Sequence, residues 1–329
     1  MSAMSKLLGW CFDLLEPVFR LGQRWLGMSR IGWLFVAPNL LIISVFTFIP
    51  ILVNLVYAVT GGVNLLPTER PYTGVENFTI LLECRDHTDI QTCRTDVFWR
   101  SIFNTVQFSL IQVGLMVFFA LLTALVLNRK IIGRGFWRGV FFYPVLLSPV
   151  VVALIWKWLL QSQGVFNAVL GSMGATPVDW LLDRQWAFFW VVAVSIWAHM
   201  GFYTLILLAG LQAIPRDVYE AAEMDAAKPW RVLRRITLPL LMPNLIVVMV
   251  LAMIRAVQSF DEVFVLTGGG PGSATTFIVQ YIYQTGFAEQ IHLYGLAAAA
   301  SLILAAGLML LTLAQLRLSK ASEAGQTRK

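Results

Sequence analysis

Apolar positions along the chain gather in six runs, near residues 33–59, 102–127, 139–160, 186–213, 238–266 and 292–316. A helix of about 20 apolar residues spans the ~30 Å hydrocarbon core of a bilayer. The runs lack the apolar–polar alternation of barrel strands. The pattern therefore predicts an all-α integral membrane protein with six transmembrane helices. Polar residues collect between the runs: in a long loop at about 60–101, in short linkers, and in the stretch YEAAEMDAAKPWRVLRRITLPLLMP at 219–243. Residues 1–32 read as an amphipathic segment lying on the membrane surface, with Arg20, Arg24 and Arg30 toward headgroups. Asp13, Glu16 and Pro17 interrupt its apolar run and no small-residue cleavage site follows, which argues against a signal peptide.

Composition agrees with the pattern. The chain has 329 residues, 58% hydrophobic and only 13% charged, with mean hydropathy +0.73. A soluble domain carries roughly twice that charged fraction. A net charge of +6 would suit a nucleic-acid partner, but the basic residues sit in short loops beside the spans, where they set orientation. Lys6, Arg20, Arg24 and Arg30 precede the first span; Arg129, Lys130, Arg134 and Arg138 precede the third. Arg216, Lys228, Arg231, Arg234 and Arg235 lie in the loop at 214–237, and Arg317, Lys320, Arg328 and Lys329 in the tail. These seventeen face five on the opposite side. The count places both termini and the 219–237 stretch in the cytoplasm. The domains that follow are a cytoplasmic or interfacial segment at 1–32, the first span with a periplasmic loop at 33–101, a transmembrane core at 102–316 and a cytoplasmic tail at 317–329.

Cys84 and Cys93 share the outer loop and can form a disulfide in an oxidising periplasm, two unpaired thiols being the alternative. Cys11 is expected to be cytoplasmic and reduced. His87, His199 and His292 show no metal-ligand spacing, so no metal site is expected. There is no GxxxxGK[ST] phosphate loop, no GxSxG and no HExxH, which argues against an enzyme.

The 219–243 stretch is the most informative. Ile214-Pro215-Arg216-Asp217 is a turn-and-cap signal, and Tyr219 to Ala227 is rich in helix formers. Pro229 extends Lys228 and favours a new start; WRVLRRITLP adds an amphipathic turn or two, and Pro239 opens the next span. The reading is helix, break, helix across the cytoplasmic face. Glu220-Ala221-Ala222, Asp225-Ala226-Ala227 and Leu238-Pro239 resemble the EAA loop of the membrane subunits of ATP-binding-cassette importers, with Ala226 where that family usually has Gly. FDEVFVLTGGGPGSAT at 260–275, IWAHMGFYTLILLAGLQAIP and FFYPVLLSP are similar to the carbohydrate, maltose-type branch. The resemblance covers about 33–316. It implies a type I importer permease fold in the bacterial inner membrane, and a coupling helix docking on a partner ATPase through Glu220, Ala221, Ala222, Asp225, Ala226, Lys228, Leu238 and Pro239. It also implies a second permease subunit making a heterodimer, two ATPase subunits that bind ATP and Mg, a periplasmic solute-binding protein, and no cofactor on this chain.

Arg255, Gln258, Ser259 and Glu262 fall at i, i+3, i+4 and i+7 of the fifth run, hence on one helix face. Charged groups inside a span usually face a cavity or a partner. That set suits sugar hydroxyls, the alternative being a structural Arg255–Glu262 pair, and Arg255 extends the class to anionic sugars. By the resemblance, Trp197, His199, Phe202 and the zone from Gln258 to Asp261 meet sugar. Lys157 is expected to snorkel to the interface, and Gly268-Gly269-Gly270-Pro271 to form a turn. The competing class is an ion-gradient transporter with Asp261, Glu262 and Arg255 as its relay.

Overall fold

The computed structural model describes residues 32–86, 89–129 and 131–326. The surface segment expected over 1–32, with Lys6, Cys11, Arg20, Arg24 and Arg30, lies outside the described residues but for its last position, as do His87, Lys130, Arg328 and Lys329. Among the described residues six helices are long and apolar enough to cross a membrane: Val36–Ala58, Asp96–Asn128, Pro149–Ser172, Arg184–Ala213, Pro229–Val257 and Tyr294–Arg317.

Contacts divide the chain into two units, Met1–Tyr57 and Ala58–Lys329. The first contains α1 (Gly32–Ile43) and most of α2 (Ile49–Ala58), joined through a π-helical turn at Ser44–Phe48. Pro50 explains the turn: it has no N–H for the carbonyl four residues back, and its ring crowds that carbonyl.

The second unit comprises α3 (Glu76–Leu82), α4 (Asp96–Asn128), α5 (Arg134–Phe142), α6 (Pro149–Leu160), α7 (Val165–Ser172) and α8 (Arg184–Ala213). It continues with α9 (Arg216–Met224), α10 (Pro229–Val232), α11 (Leu238–Val257), α12 (Asp261–Thr267), α13 (Ile278–Tyr283) and α14 (Tyr294–Gln326). Helix α8 is central. It packs against α4, α5, α6, α11 and α12, and 61% of its most apolar window is buried, against 22–33% for the other spans of this unit. The seam is lined by Met116, Ala120 and Ala124 of α4, Leu207 and Leu211 of α8, and Val248, Ala252 and Ala256 of α11. Small residues one turn apart let backbones approach where lipid removes the hydrophobic drive for helices to associate. Gly201 is the extreme case. A Cβ there would collide with the Phe141 carbonyl, so α8 and the end of α5 meet backbone to backbone.

Two predicted spans are interrupted. The run at 139–160 is not one helix. Helix α5 ends at Phe142, Tyr143–Leu146 is 3₁₀, and α6 starts at Pro149 after Ser148 in extended conformation. Pro144 and Pro149 each deny the helix a donor. The run at 238–266 begins earlier and breaks before its end. Helix α10 continues through a π-helical turn at Leu233–Thr237 into α11, so Pro239 lies inside the helix and does not open it. The chain then leaves helical geometry at Gln258–Phe260, where Phe260 has φ −143° and ψ −62°, and α12 follows.

In the loop at 60–95, Arg70 ties the strand-like turn together. Its Nε donates to Thr60 Oγ1 at 3.0 Å and one Nη to the Asn64 carbonyl at 2.7 Å. Asn77 Nδ2 donates to the Ala58 carbonyl at 2.9 Å. The Cys84 and Cys93 sulfurs are bonded at 2.00 Å.

Gly201→Ala is expected to lower the unfolding midpoint of the detergent-solubilised protein, by about 1–3 kcal/mol of overpacking. Gly114→Ala, with open space around its Cβ, is expected to leave it unchanged. Equal melting of the two variants would refute the close approach.

Candidate functional site

Two regions concentrate polar chemistry. The first is a cavity of about 280 Å³ between α8, α11 and the interrupted 143–149 segment. His199, Phe202 and Tyr203 enter it from α8, Arg255 from α11, and Pro144, Pro149 and Val152 from the segment and α6. The His199 and Arg255 side chains meet, with Arg255 Nη2 at 2.6 Å from His199 Nε2. His199 Nδ1 lies 2.9 Å from the Ser195 carbonyl, which can only accept. Nδ1 therefore carries the proton and Nε2 accepts from the guanidinium: the partners fix one neutral tautomer. Remaining guanidinium donors and the aromatic faces of Phe202 and Tyr203 are then offered to whatever occupies the cavity.

The break at Gln258–Phe260 separates the residues that share one face in the sequence reading. Arg255 belongs to α11 and Glu262 to α12. Ser259 and Glu262 are both buried, and the Ser259 hydroxyl donates to Glu262 Oε1 at 3.2 Å. Arg255 and Glu262 are not ion-paired among the described residues; each has the other partner just named. Gln258 and Asp261 are exposed at the two sides of the break. Ser259-x-x-Glu262 has the spacing of a helix start, and this signal announces the interruption.

Trp197 does not join this cavity. Two residues before His199, it lies about 200° around the helix. It lines an apolar groove between α4 and α8 with Ile111, Leu115 and Phe119, and packs edge-on against Trp156 at 5.7 Å. Lys157 also departs from expectation. Its Nζ donates to the Val265 carbonyl at 3.1 Å, satisfying an acceptor in the last turn of α12.

The second region is the 216–239 module. Pro215 precedes α9 in extended conformation. Ala222 is buried beneath α9, while Glu220, Ala221 and Asp225 are exposed. Met224 (88% exposed) and Trp230 (68%) leave large apolar side chains uncovered on either side of the turn. The chain reverses at Ala226, whose φ of +51° is the only positive value of a non-glycine among the described residues. Ala227 N–H donates to the Ala222 carbonyl at 3.0 Å, and Asp225 N–H to the Ala221 carbonyl at 3.1 Å, closing the helix end. Lys228 caps α10, with Pro229 in its first turn. Leu238 and Pro239 lie further along the same continuous helix, after the π-helical turn. The Tyr219 and Thr237 hydroxyls are 3.3 Å apart and link α9 to that helix.

Left-handed conformation strains an L-residue by roughly 1–2 kcal/mol, and Ala226 is exposed, so packing does not confound its replacement. Ala226→Gly is expected to melt no lower than the wild type, and Ala226→Val lower by about 1 kcal/mol or more, since a β-branched residue fits this region worst. Equal melting of the two variants would contradict the turn.

Residues 116–323 match the family model described as the binding-protein-dependent transport system inner membrane component. The trehalose/maltose transport system permease protein of Thermococcus litoralis is 39% identical over 251 residues, covering 76% of this chain and 81% of that one. The sulfoquinovosyl glycerol transport system permease protein of Agrobacterium fabrum is 34% identical over 267 residues, covering 79% and 82%. Among solved structures, a bacterial ABC transporter involved in import of the acidic polysaccharide alginate superposes with a TM-score of 0.75 at 25% identity, covering 91% of this chain and 99% of that one. A multi-pass helical chain that matches this family model over well over half its length belongs to that family: it is a binding-protein-dependent inner membrane component, a non-catalytic permease subunit of an ABC importer.

Proposed function

We propose that this permease forms half of a translocation path for a sugar or sugar derivative, pairing with a second, homologous permease and two ATPase subunits that bind ATP and Mg. A periplasmic solute-binding protein delivers the substrate. Both termini and the 216–239 module face the cytoplasm, as the seventeen-to-five basic bias requires. The observation that carries the reading is the projecting α9, with Glu220 exposed on it and Tyr219 joining it to the helix that bears Arg255. An element docked on an ATPase surface there delivers a displacement directly to the cavity. Glu220, Ala221, Asp225, Ala226 and Lys228 form the docking surface, with Ala222 buried beneath it; Leu238 and Pro239 belong to the helix that receives the push.

Sugar as the substrate class draws on the relatives named for trehalose/maltose and sulfoquinovosyl glycerol. It draws equally on a cavity that sets a guanidinium and an imidazole beside aromatic faces, the mixture a polyhydroxylated ring with one apolar face needs. His199, Phe202 and Arg255 are the contacting residues, with Gln258 and Asp261 at the rim. Ser259 and Glu262 hold the break that shapes the cavity, and Trp197 acts on the other side of α8. The ion-gradient alternative is not supported: the family is a binding-protein-dependent one, and Arg255 and Glu262 are engaged with different neighbours.

Two substitutions test this in proteoliposomes carrying the whole complex. Glu220→Lys is expected to weaken assembly or to leave ATP hydrolysis running without uptake; normal coupled uptake would count against the docking surface. Phe202→Ala is expected to lower sugar uptake about tenfold with the complex intact, an aromatic contact of about 1.4 kcal/mol corresponding to that factor. Unaltered uptake kinetics would remove the cavity from the path.

A further inference from the structure

At the cytoplasmic end of the bundle, three arginines converge on a cavity of about 580 Å³ that the transport reading leaves unused. Arg134 and Arg138 stand one turn apart on α5, and Arg216 opens α9. Asn128, Gly135 and Gln212 complete its polar wall, and no residue lining it carries a carboxylate. None of the three arginines is ion-paired among the described residues, whose salt bridges join Arg94 to Glu83 and Arg100 to Asp96. The Nε atoms of Arg134 and Arg138 are buried without a hydrogen-bond partner. With its amide oxygen turned inward, Gln212 accepts from Arg138 at 2.6 Å and from Arg134 at 3.0 Å. That aims both guanidiniums at the same space.

Like charges one turn apart repel, and a partly desolvated guanidinium needs a counter-charge. One amide oxygen cannot neutralise three cations. The N-terminus of α5 adds to the demand: Gly133 precedes it with φ +70°, and no side chain caps its first amides. A phosphate group answers all of this, because its several oxygens accept from converging guanidinium forks and from backbone amides at once. The rest of the helix end names the surroundings. Ile132 (99% exposed), Phe136 (69%) and Trp137 (46%) project from the same segment, as residues do that sit at the boundary of headgroups and acyl chains.

We propose that Arg134, Arg138 and Arg216 form a phosphate-binding site at the cytoplasmic leaflet, filled by the phosphodiester of an anionic phospholipid or by free phosphate. The bound group bridges α5 to the first residue of α9. The lipid around the permease thereby sets the position of the coupling module. The proposal rests on the cytoplasmic orientation given above. Its test reads binding by the solubilised full-length chain, so a failure there is separable from a failure of the orientation or of the transport assays.

The test is native mass spectrometry of the chain titrated with dioleoyl phosphatidylglycerol or dioleoyl phosphatidylcholine, each with and without excess inorganic phosphate. The wild type is expected to retain the glycerol lipid about tenfold more tightly, the size of a lost charge-assisted contact. Arg134→Gln with Arg138→Gln is expected to abolish the preference. Gln212→Glu supplies an internal counter-charge, keeps the arginines paired, and is expected to abolish it without loss of folding. Arg100→Gln, on the outer side, is expected to retain it. A preference that persists in phosphate assigns the site to lipid. Heat stabilisation of the wild type by inorganic phosphate, lost in the double variant, assigns it to the free ion. The proposal is overturned if the two lipids bind alike and phosphate has no effect, or if the preference survives in both Arg134→Gln/Arg138→Gln and Gln212→Glu. Absent lipid preference together with loss of ATPase-subunit capture in the double variant would also overturn it, by giving the pocket to an acidic protein surface.

Discussion

A helix interrupted inside a bilayer presents N–H and C=O groups that hydrocarbon cannot hydrogen-bond, so an interruption survives only where protein or a water-filled cavity receives those groups. The two interruptions in this chain obey that constraint. The 143–146 turn packs on α8, and the end of α5 just before it meets α8 backbone to backbone at Gly201. The break at 258–260 is held by Ser259 and Glu262, and α12 beyond it is secured by Lys157 through the Val265 carbonyl. The loop after α12 follows the same rule. Thr275 Oγ1 donates to the Gly270 carbonyl at 2.8 Å, Thr276 Oγ1 to the Gly269 carbonyl at 3.2 Å, and Asn104 of α4 to the Ser273 carbonyl at 2.7 Å. Gly269, with φ +93°, lets Thr276 and Gln280 approach to where a Cβ would stand.

The interruptions flank one cavity, and the helices carrying its charged groups bracket the 216–239 module. Helix α8 holds His199 and runs into α9 after two residues, Ile214 and Pro215. The helix bearing Arg255 begins at Pro229, three residues after the turn at Ala226. The His199–Arg255 contact joins the two helices again inside the span. Only short connections, Ile214–Pro215 to α8 and Asp225–Lys228 to the helix bearing Arg255, separate α9 from the two sides of the cavity. Strain is stored where the module turns, at a left-handed alanine, and three arginines without an ion pair among the described residues lie at its root.

The six membrane helices and the helical module were legible because each is a summed property. Length of an apolar run and helix propensity over a window do not depend on which atoms touch. The residue types that meet substrate in the proposed reading were legible as well, since a charge in a span stands out against its neighbours. The breaks were less so. Proline marks the first, but the second carries no proline or glycine, only the Ser259–Glu262 spacing, and hydropathy runs through it unchanged.

The sequence by itself determined that this chain crosses the membrane and where its polar chemistry lies along the chain. Only the tertiary structure decided the partners. It gave Arg255 to His199 and not to Glu262, turned Trp197 away from the cavity, bound Lys157 to the Val265 carbonyl, and gathered three arginines from two helices around one space. The physical reason is that a hydrogen bond is settled over about 3 Å, by the rotation of a helix and the place where it breaks. Periodicity carries neither quantity once a helix departs from regular geometry.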